Sequence, residues 1–223
     1  MWRAAVAEQQ SDIIAVLGGT FDPIHHGHCQ IAMAAKALLK AKKVFLMPSR
    51  VPVHRGVSAS TDQRIAMIKA ALIEYPGLTL STLEVDSEQP SYSIETVTRL
   101  RQQYPLASLV FLMGMDAFRG FDSWKHWQTI LDFVHLGVIR RPGESEELSL
   151  VMSALLQERN ARHIEELSNS LSGKIFLLDI EGPNISATQL REQINNKEAL
   201  RAWVPKEVAQ IIEQEQIYKS DQQ

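Results

Sequence analysis

Six short apolar runs recur along the 223-residue chain, and segments with helical periodicity separate them. The runs are apolar almost throughout, as strands covered on both faces of a sheet tend to be. Strands that alternate with helices form right-handed crossovers and a parallel sheet with helices on both faces. The pattern therefore predicts the α/β class with a doubly wound parallel sheet, whose strands lie near residues 13–17, 43–47, 78–83, 108–113, 134–139 and 174–178.

Helix starts and domain limits are also marked. Ser60 precedes Gln63 by three residues, and Ser93 precedes Thr96 by three, which predicts a helix start at each serine. From residue 185 a short helical segment leads into "PKEVAQIIEQEQIY", whose apolar positions recur every three or four residues. We expect an N-terminal extension, a main domain and a C-terminal helical subdomain packed on the sheet, over 1–12, 13–184 and 185–223.

The charge balance restricts the possible partners. A formal net charge of -3 leaves no basic surplus for binding DNA or RNA. The N-terminal residues lack the apolar core of a signal peptide, and no apolar run approaches the roughly 20 residues that span a bilayer. The single cysteine, Cys29, cannot form an intramolecular disulfide. We expect a cytoplasmic protein without a nucleic-acid or membrane partner, and these patterns do not specify its oligomeric state.

The stretch "GGTFDPIHHGH" follows the first run, where a strand of a parallel sheet ends at the ligand-binding edge. Gly18 and Gly19 allow backbone N–H groups to approach an anion closely, but their spacing matches neither a dinucleotide fingerprint nor a P-loop. Taken alone, the two glycines favour a tight strand-to-helix turn without a ligand.

Three histidines extend this stretch into the next predicted helix. His25 and His28 are three residues apart, so they can share one face of its first turn, whereas His26 points elsewhere. Imidazole donors at a helix N-terminus favour a polyphosphate. Zinc is the alternative, which we rate lower because Asp22 is the only local carboxylate. We expect Asp22 to cap the helix or the turn.

"GGTFDPIHHGH" resembles the signature of the nucleotidyltransferase superfamily whose HxGH motif binds ATP phosphates. A second signature of that superfamily, Ser/Thr-x-Thr-x-x-Arg, corresponds here to "ISATQLR", which without the first motif would be a plain helix cap. The resemblance implies a Rossmann-like fold and transfer of a nucleotide to an acceptor phosphate with release of pyrophosphate. It implies catalytic roles for His25, His28 and Arg191 and ATP contacts from Gly18, Gly19, Thr20, Phe21, Ser186 and Thr188.

Nearly the whole chain is similar to one branch, the bacterial nicotinate-nucleotide adenylyltransferases. The similar segments are "PSRVPVHR", "PSYSIETV", "FLMGMDAF", "SWKHWQTIL" and "RRPG". The resemblance implies that ATP and nicotinate mononucleotide are the substrates and that nicotinate adenine dinucleotide is the product. The implied contacts are a ribose at Gly114 and Asp116, phosphates at His54 and Arg55, the pyridine carboxylate at the backbone of Tyr92 and Ser93, and the pyridine ring on Trp124.

Simpler interpretations of the same residues stay open. Trp124 and Trp127, three apart, suit an apolar helix face, and Asp116 could cap a helix. His54 and Arg55 could be solvated. The chain also departs from the family pattern, because Val53 replaces the second of two adjacent prolines, Arg50 replaces a small or amide residue, and Ser93 replaces a common threonine.

The implied chemistry needs no side-chain nucleophile, because an acceptor phosphate is already anionic at neutral pH. Positioning and positive charge remain for the protein to supply, with Mg²⁺ bound to the ATP oxygens and no metal site in the protein itself. Backbone N–H donors should favour an acid over an amide acceptor. Alternatives are another HxGH enzyme, such as a phosphopantetheine adenylyltransferase or a cytidylyltransferase, or a non-catalytic nucleotide-binding protein.

Overall fold

The computed structural model describes residues 11–50, 59–87, 92–141, 143, 147–183 and 185–218. Its strands are β1 (Ile13–Gly19), β2 (Lys43–Pro48), β3 (Thr79–Leu80), β4 (Ser108–Gly114), β5 (His135–Arg140) and β6 (Ile175–Asp179). Its helices are α1 (His26–Leu38), α2 (Thr61–Glu74), α3 (Ser93–Gln103), α4 (Met115–Arg119), α5 (Trp127–Ile130), α6 (Leu150–Arg159), α7 (Glu165–Ser168), α8 (Ala187–Glu192), α9 (Lys197–Trp203) and α10 (Lys206–Gln214), with a 3₁₀ turn over Phe121–Ser123.

The strands form one six-stranded sheet in the order β3-β2-β1-β4-β5-β6, and every neighbouring pair is parallel. The expected doubly wound α/β sheet is therefore confirmed. The strand order reverses between β1 and β4, where Leu17 lies opposite Leu112. Ligands of such sheets bind in the crevice outside the carboxyl ends of the strands at this switch point.

All six predicted strands are present, but the third is shorter than expected. β3 has two residues, and residues 83–86 form a turn in place of the predicted strand end. β3 lies at the sheet edge and pairs only with β2, so no second neighbour extends it.

Two apolar clusters cover the two faces of the sheet. Alternate β1 residues divide between them, with Ala15 in one cluster and Ile14 and Val16 in the other. The first cluster also contains residues of α1, α2 and the C-terminal helices, including Val208 and Ile212 of α10. The C-terminal helices thus share a core with the sheet, whereas the proposed boundaries at 12/13 and 184/185 stay predictions.

The two predicted helix starts had different outcomes. Ser60 is the N-cap of α2 and forms the expected reciprocal capping box with Gln63. Ser93 also begins its helix as predicted, but as the first residue of α3, because the N-cap is Tyr92, which makes no side-chain cap bond. Thr96 therefore lies one position beyond that of a capping-box partner, and its hydroxyl donates to Glu84 at 2.8 Å. Within the described ranges, no helix is both long and apolar enough to cross a membrane.

Candidate active site

The loop of residues 20–25, here called the β1–α1 loop, leaves the sheet at the switch point. Phe21 is buried in a left-handed conformation with φ of 48°. Its ring folds back over Gly19, at the end of the strand, where a Cβ would lie 3.3 Å from the ring. Thr20 directs its carbonyl oxygen to the Arg64 guanidinium. Gly18 and Gly19 do not follow the first strand as expected but are its last two residues, paired with Met47 and Pro48 of β2. Thr20 and Phe21 come directly after them, so the residues predicted to contact ATP here lie at the expected edge of the sheet.

His25 and His28 are brought together at the start of α1. Their ring centroids are 3.7 Å apart and the planes differ by 20°, so the imidazoles stack. His25 is the N-cap and not part of the first turn, and its Nδ1 accepts the His28 backbone N–H at 3.3 Å. A Cβ at Gly27 would meet His25 Nδ1 at 3.0 Å, so glycine leaves room for the His25 ring in this stack.

Burial makes both imidazoles weak bases. The pKa of His25 is lowered to about 4 by burial, with smaller contributions from Arg141 and His26. The pKa of His28 is lowered well below its ordinary value by burial, then by His25 and Arg141. Both rings are therefore neutral at neutral pH. The Nδ1 atom of His28 is buried without a hydrogen-bond partner, which is uncommon for a buried polar atom and leaves it available to a ligand.

The C-terminal motif lies against the β1–α1 loop. Arg191, in α8, donates from Nη1 to the Asp22 carbonyl at 2.6 Å and from Nη2 to the Thr188 hydroxyl at 3.3 Å. Ser186 is the N-cap of α8, but its side chain makes no cap bond, so the motif is not the plain cap that its residues alone suggested. The two signatures, far apart in sequence, therefore meet at one place.

Asp22 does not cap α1, and that expectation is wrong. An N-cap directly precedes its helix, and His25 occupies that position. The buried Asp22 carboxylate instead accepts the Ala59 backbone N–H at 3.1 Å and the Tyr218 hydroxyl at 2.7 Å. His26 contacts Tyr75, whose hydroxyl lies 2.7 Å from the His26 Nδ1. This contact agrees with the expectation that His26 points away from the site.

Arg64 and Arg141 are two site residues that the sequence interpretation missed. Arg64 is fully buried and donates to the carbonyls of Thr20, Ser49 and Arg50, and so joins the loops after β1 and β2. Its position four residues before Ile68, on the apolar face of α2, was a signal for a buried arginine. Arg141 directly follows β5 at the same sheet edge, and its charge acts on both motif histidines.

Gly114 and Asp116, the predicted ribose contacts, lie at the end of β4, and their role stays a prediction. Gly114 is the N-cap of α4, and a Cβ there would lie 2.5 Å from Asp116 Oδ1, so a larger residue would displace the Asp116 side chain. Asp116 is exposed and makes no cap bond at Gly114. Because β4 is paired with β1, the β4 end lies at the same edge as the histidine pair.

The predicted acceptor residues meet through Lys125. Its ammonium lies 4.1 Å from the centroid of the Tyr92 ring and 3.1 Å from Glu95 Oε1, which joins the start of α3 to the Trp124 segment. Trp124 and Trp127 are partly buried and both pack edge-on against Phe121. This packing agrees with the core interpretation, so stacking of a ligand on Trp124 stays a prediction, as does the carboxylate contact at Tyr92 and Ser93. His54 and Arg55 lie outside the described residues.

Protein ligands for a metal are sparse near the imidazoles. In the part of the chain that the structure describes, no three His, Cys, Asp or Glu side chains come together as a metal site requires. The stacked histidine pair therefore lacks a third protein ligand among those residues, which weakens the zinc alternative.

Known proteins with the same fold and sequence pattern cover most of the chain. A family model described as cytidylyltransferase-like matches residues 16–193. The probable nicotinate-nucleotide adenylyltransferase of Acidithiobacillus ferrooxidans is 38% identical over 211 residues, which are 94% of this chain and 97% of that protein. Its counterpart in Aeromonas hydrophila is 38% identical over 207 residues, with 92% and 97% covered.

A solved structure has the same overall fold at much lower sequence identity. Plasmodium falciparum nicotinic acid mononucleotide adenylyltransferase, complexed with NaAD, superposes with a TM-score of 0.70 over 93% of this chain and 97% of that chain. Its sequence identity is 16%, so this likeness concerns the Rossmann-like fold alone. The family match and the relatives nevertheless agree, and the chain belongs to the nicotinate-nucleotide adenylyltransferases, nucleotidyltransferases of the cytidylyltransferase-like family.

Proposed function

We propose that the protein transfers the adenylyl group of ATP to nicotinate mononucleotide, forming nicotinate adenine dinucleotide and pyrophosphate in NAD biosynthesis. The observation that carries the proposal is the meeting of the two signatures. Arg191 donates to the carbonyl of Asp22, three residues before the stacked His25 and His28. Guanidinium and imidazole groups are thus collected at the switch point, where a parallel sheet binds its ligand.

The reaction exchanges one phosphoanhydride bond for another. A phosphate oxygen of nicotinate mononucleotide attacks the α-phosphorus of ATP, and the bond from that phosphorus to the β-phosphate oxygen breaks. Pyrophosphate leaves with the electron pair of the broken bond. The nucleophile is already an anion, so alignment and stabilisation of developing charge account for the rate, and no general base is needed.

His28 is the donor that we assign to the developing charge. A neutral imidazole donates one N–H, and the buried Nδ1 without a partner gives that ring an unused hydrogen-bonding atom. A phosphate beside the ring would stabilise the protonated form, so ligand binding should raise the low pKa of His28. Arg191, anchored at Asp22 and Thr188, would bind phosphate oxygens from the opposite side.

Mg²⁺ is proposed to arrive bound to ATP and to neutralise phosphate charge. The described residues offer no group of three protein ligands, so phosphate oxygens and water would make up most of its coordination shell. We also propose a cytoplasmic location, which suits an enzyme that acts on small nucleotides.

The acceptor is proposed to bind between the start of α3 and Trp124. The N-cap of α3 makes no side-chain cap bond, which leaves N–H groups of the first turn for a carboxylate. A carboxamide would place its own NH₂ donors against them, so nicotinate mononucleotide should be preferred to the nicotinamide form. His54 and Arg55 complete the proposed phosphate contacts.

A product assay tests the proposal directly. Purified protein is incubated with ATP, Mg²⁺ and one acceptor at a time: nicotinate mononucleotide, nicotinamide mononucleotide, phosphopantetheine or no acceptor. We expect pyrophosphate and a dinucleotide mainly with nicotinate mononucleotide. Pyrophosphate release only with phosphopantetheine would reassign the acceptor, and nucleotide binding without any pyrophosphate would indicate a non-catalytic protein. Equal use of both pyridine nucleotides would contradict only the proposed carboxylate contact at the start of α3 and would leave the adenylyl transfer itself supported.

A further inference from the structure

The chain after α10 returns to the β1–α1 loop through one side chain. Ile217 is buried, and its N–H donates to the Ile212 carbonyl at 3.1 Å, which anchors this segment on α10. Tyr218 follows in a left-handed conformation with φ of 68°. Its hydroxyl donates to Asp22 Oδ1 at 2.7 Å, a contact that spans 196 residues of sequence.

Asp22 is a buried carboxylate, with 2% of its surface exposed. The same Oδ1 accepts the Ala59 backbone N–H at 3.1 Å, and Arg191 Nη1 lies 4.0 Å from Oδ2. A buried charged group that loses a hydrogen bond must find another partner or move. The Tyr218 hydroxyl therefore restrains the orientation of the Asp22 side chain.

The main chain of Asp22 holds the phosphate-binding arginine. Its carbonyl accepts from Arg191 Nη1 at 2.6 Å. The carboxylate and the carbonyl belong to one residue, so a backbone shift of Asp22 that follows the loss of a carboxylate partner displaces the carbonyl to which Arg191 is attached. Tyr218 and Arg191 thus act on the same residue, one at its side chain and the other at its main chain.

We propose that Tyr218 is a positioning residue for adenylyl transfer, because its hydroxyl fixes Asp22 and, through the Asp22 carbonyl, the Arg191 guanidinium at the β1–α1 loop. The inference rests on the proposed function, in which Arg191 binds phosphate. Burial and the bond to Asp22 raise the pKa of Tyr218, so the hydroxyl remains protonated and able to donate.

Tyr218→Phe removes only the hydroxyl and keeps the ring that packs on the core. We expect kcat to fall about tenfold, because a small displacement of a group that acts in the transition state is costly. The KM values for ATP and nicotinate mononucleotide should stay within about twofold, since ground-state contacts persist. Incorporation of 4-aminophenylalanine at position 218 restores a donor at the same place and should recover most of the lost kcat.

The matched control is Tyr75→Phe. Tyr75 also makes a 2.7 Å hydrogen bond, to His26 on α1, but it has no contact with Asp22. We expect its kcat to be unchanged. Equal kcat in folded Tyr218→Phe and unaltered protein, or equal losses in both variants, would overturn the positioning role, as would a failure of the amino analogue to restore turnover where the phenylalanine variant is impaired.

Hydrogen exchange at the Ala59 amide gives a second measurement that needs no turnover. This N–H donates to the Asp22 carboxylate, so it should exchange slowly in the unaltered protein and faster in Tyr218→Phe. Fast exchange in the unaltered protein would overturn the inference even if the variant failed to fold. Missing product in the unaltered protein would count against the proposed function alone. The exchange measurement would still report whether Tyr218 restrains the Asp22 carboxylate.

Discussion

The two edges of the sheet contain buried histidines that differ in one respect. At the amino edge, His135 starts β5 with its Nε2 3.1 Å from the Ser170 carbonyl, and its Nδ1 accepts the Lys174 N–H at 3.0 Å. At the carboxyl edge, the Nδ1 of His28 has no partner. Burial lowers the pKa of both. A buried imidazole with both nitrogens bonded stabilises the fold, whereas we expect the imidazole with an unused nitrogen, at the carboxyl edge, to contact substrate.

Two arginines, one at each edge, repeat this contrast. Arg101 donates to carbonyls around the amino edge, including those of Phe133, Ala107 and Leu171. Arg64 does the same at the carboxyl edge for the loops that follow β1 and β2. The two side chains make similar bonds, but only Arg64 supports loops that we expect to contact substrate. Substitutions at the carboxyl edge should therefore lower activity, and substitutions at the amino edge should not, even where both lower stability.

The largest expected effect is at His28. His28→Ala should lower kcat by about 10²- to 10³-fold, because a donor aimed at the transition-state charge is lost. His26→Ala is the control with unchanged turnover, since His26 contacts Tyr75 and lies outside the site. Steady-state pyrophosphate release measures both. Near-normal turnover by His28→Ala would remove the distinction between the two edges.

Substitution of Arg64 and of Arg101 tests the difference between the two edges, because stability and activity can be measured on the same variants. Arg64→Met leaves three partly buried carbonyls without their donor and should lower the free energy of unfolding by about 3 kcal/mol, together with kcat. Arg101→Met should cost about 2 kcal/mol but leave the kcat of the folded protein unchanged. Urea unfolding and initial rates on the same samples check this. A loss of kcat in Arg101→Met that matches the loss in Arg64→Met would show that the edges are not functionally distinct.

The pH dependence of stability should report His135. Its folded pKa is about 4 against an ordinary value of 6.5, so the unfolded chain takes up a proton first as the pH falls. This group's contribution to stability is full above pH 6.5, declines between 6.5 and 4, and is lost below that window. His135→Gln should flatten the decline by up to about 1.4 kcal/mol per pH unit without changing kcat. An unchanged slope in urea unfolding at stepped pH would contradict the assignment.

The smallest expected effect sharpens the assignment of the acceptor side. Trp124→Ala should raise the KM for nicotinate mononucleotide about fivefold, as expected for loss of a cation–π-like stack, and raise that for ATP less. Trp127→Ala is the comparison, because it packs on the same Phe121 ring. If both variants lose only stability and neither changes KM, both tryptophans belong to the core.

Features that depend on nearby residues could be predicted from the sequence, whereas contacts between residues remote in sequence could not. Ser60 and Gln63 are three residues apart, and their capping box formed as predicted. Asp22 was misassigned because its partners, Ala59 and Tyr218, are remote in sequence. Ser93 begins α3 as predicted, but it is the first helical residue and not the cap, because Tyr92 occupies the N-cap position. Arg64 was missed because its acceptors are backbone carbonyls, which no residue type identifies.

Periodicity and motif spacing determined the order of strands and helices, the edge where the histidines lie and the family to which the chain belongs. These features are local, since apolar alternation and spacing of three residues depend on neighbouring positions alone. The meeting of Arg191, Asp22 and Tyr218 and the unused nitrogen of His28 were decided only by the tertiary structure. Burial and hydrogen-bond satisfaction depend on which distant segments surround a group, and the folded chain alone brings those segments together.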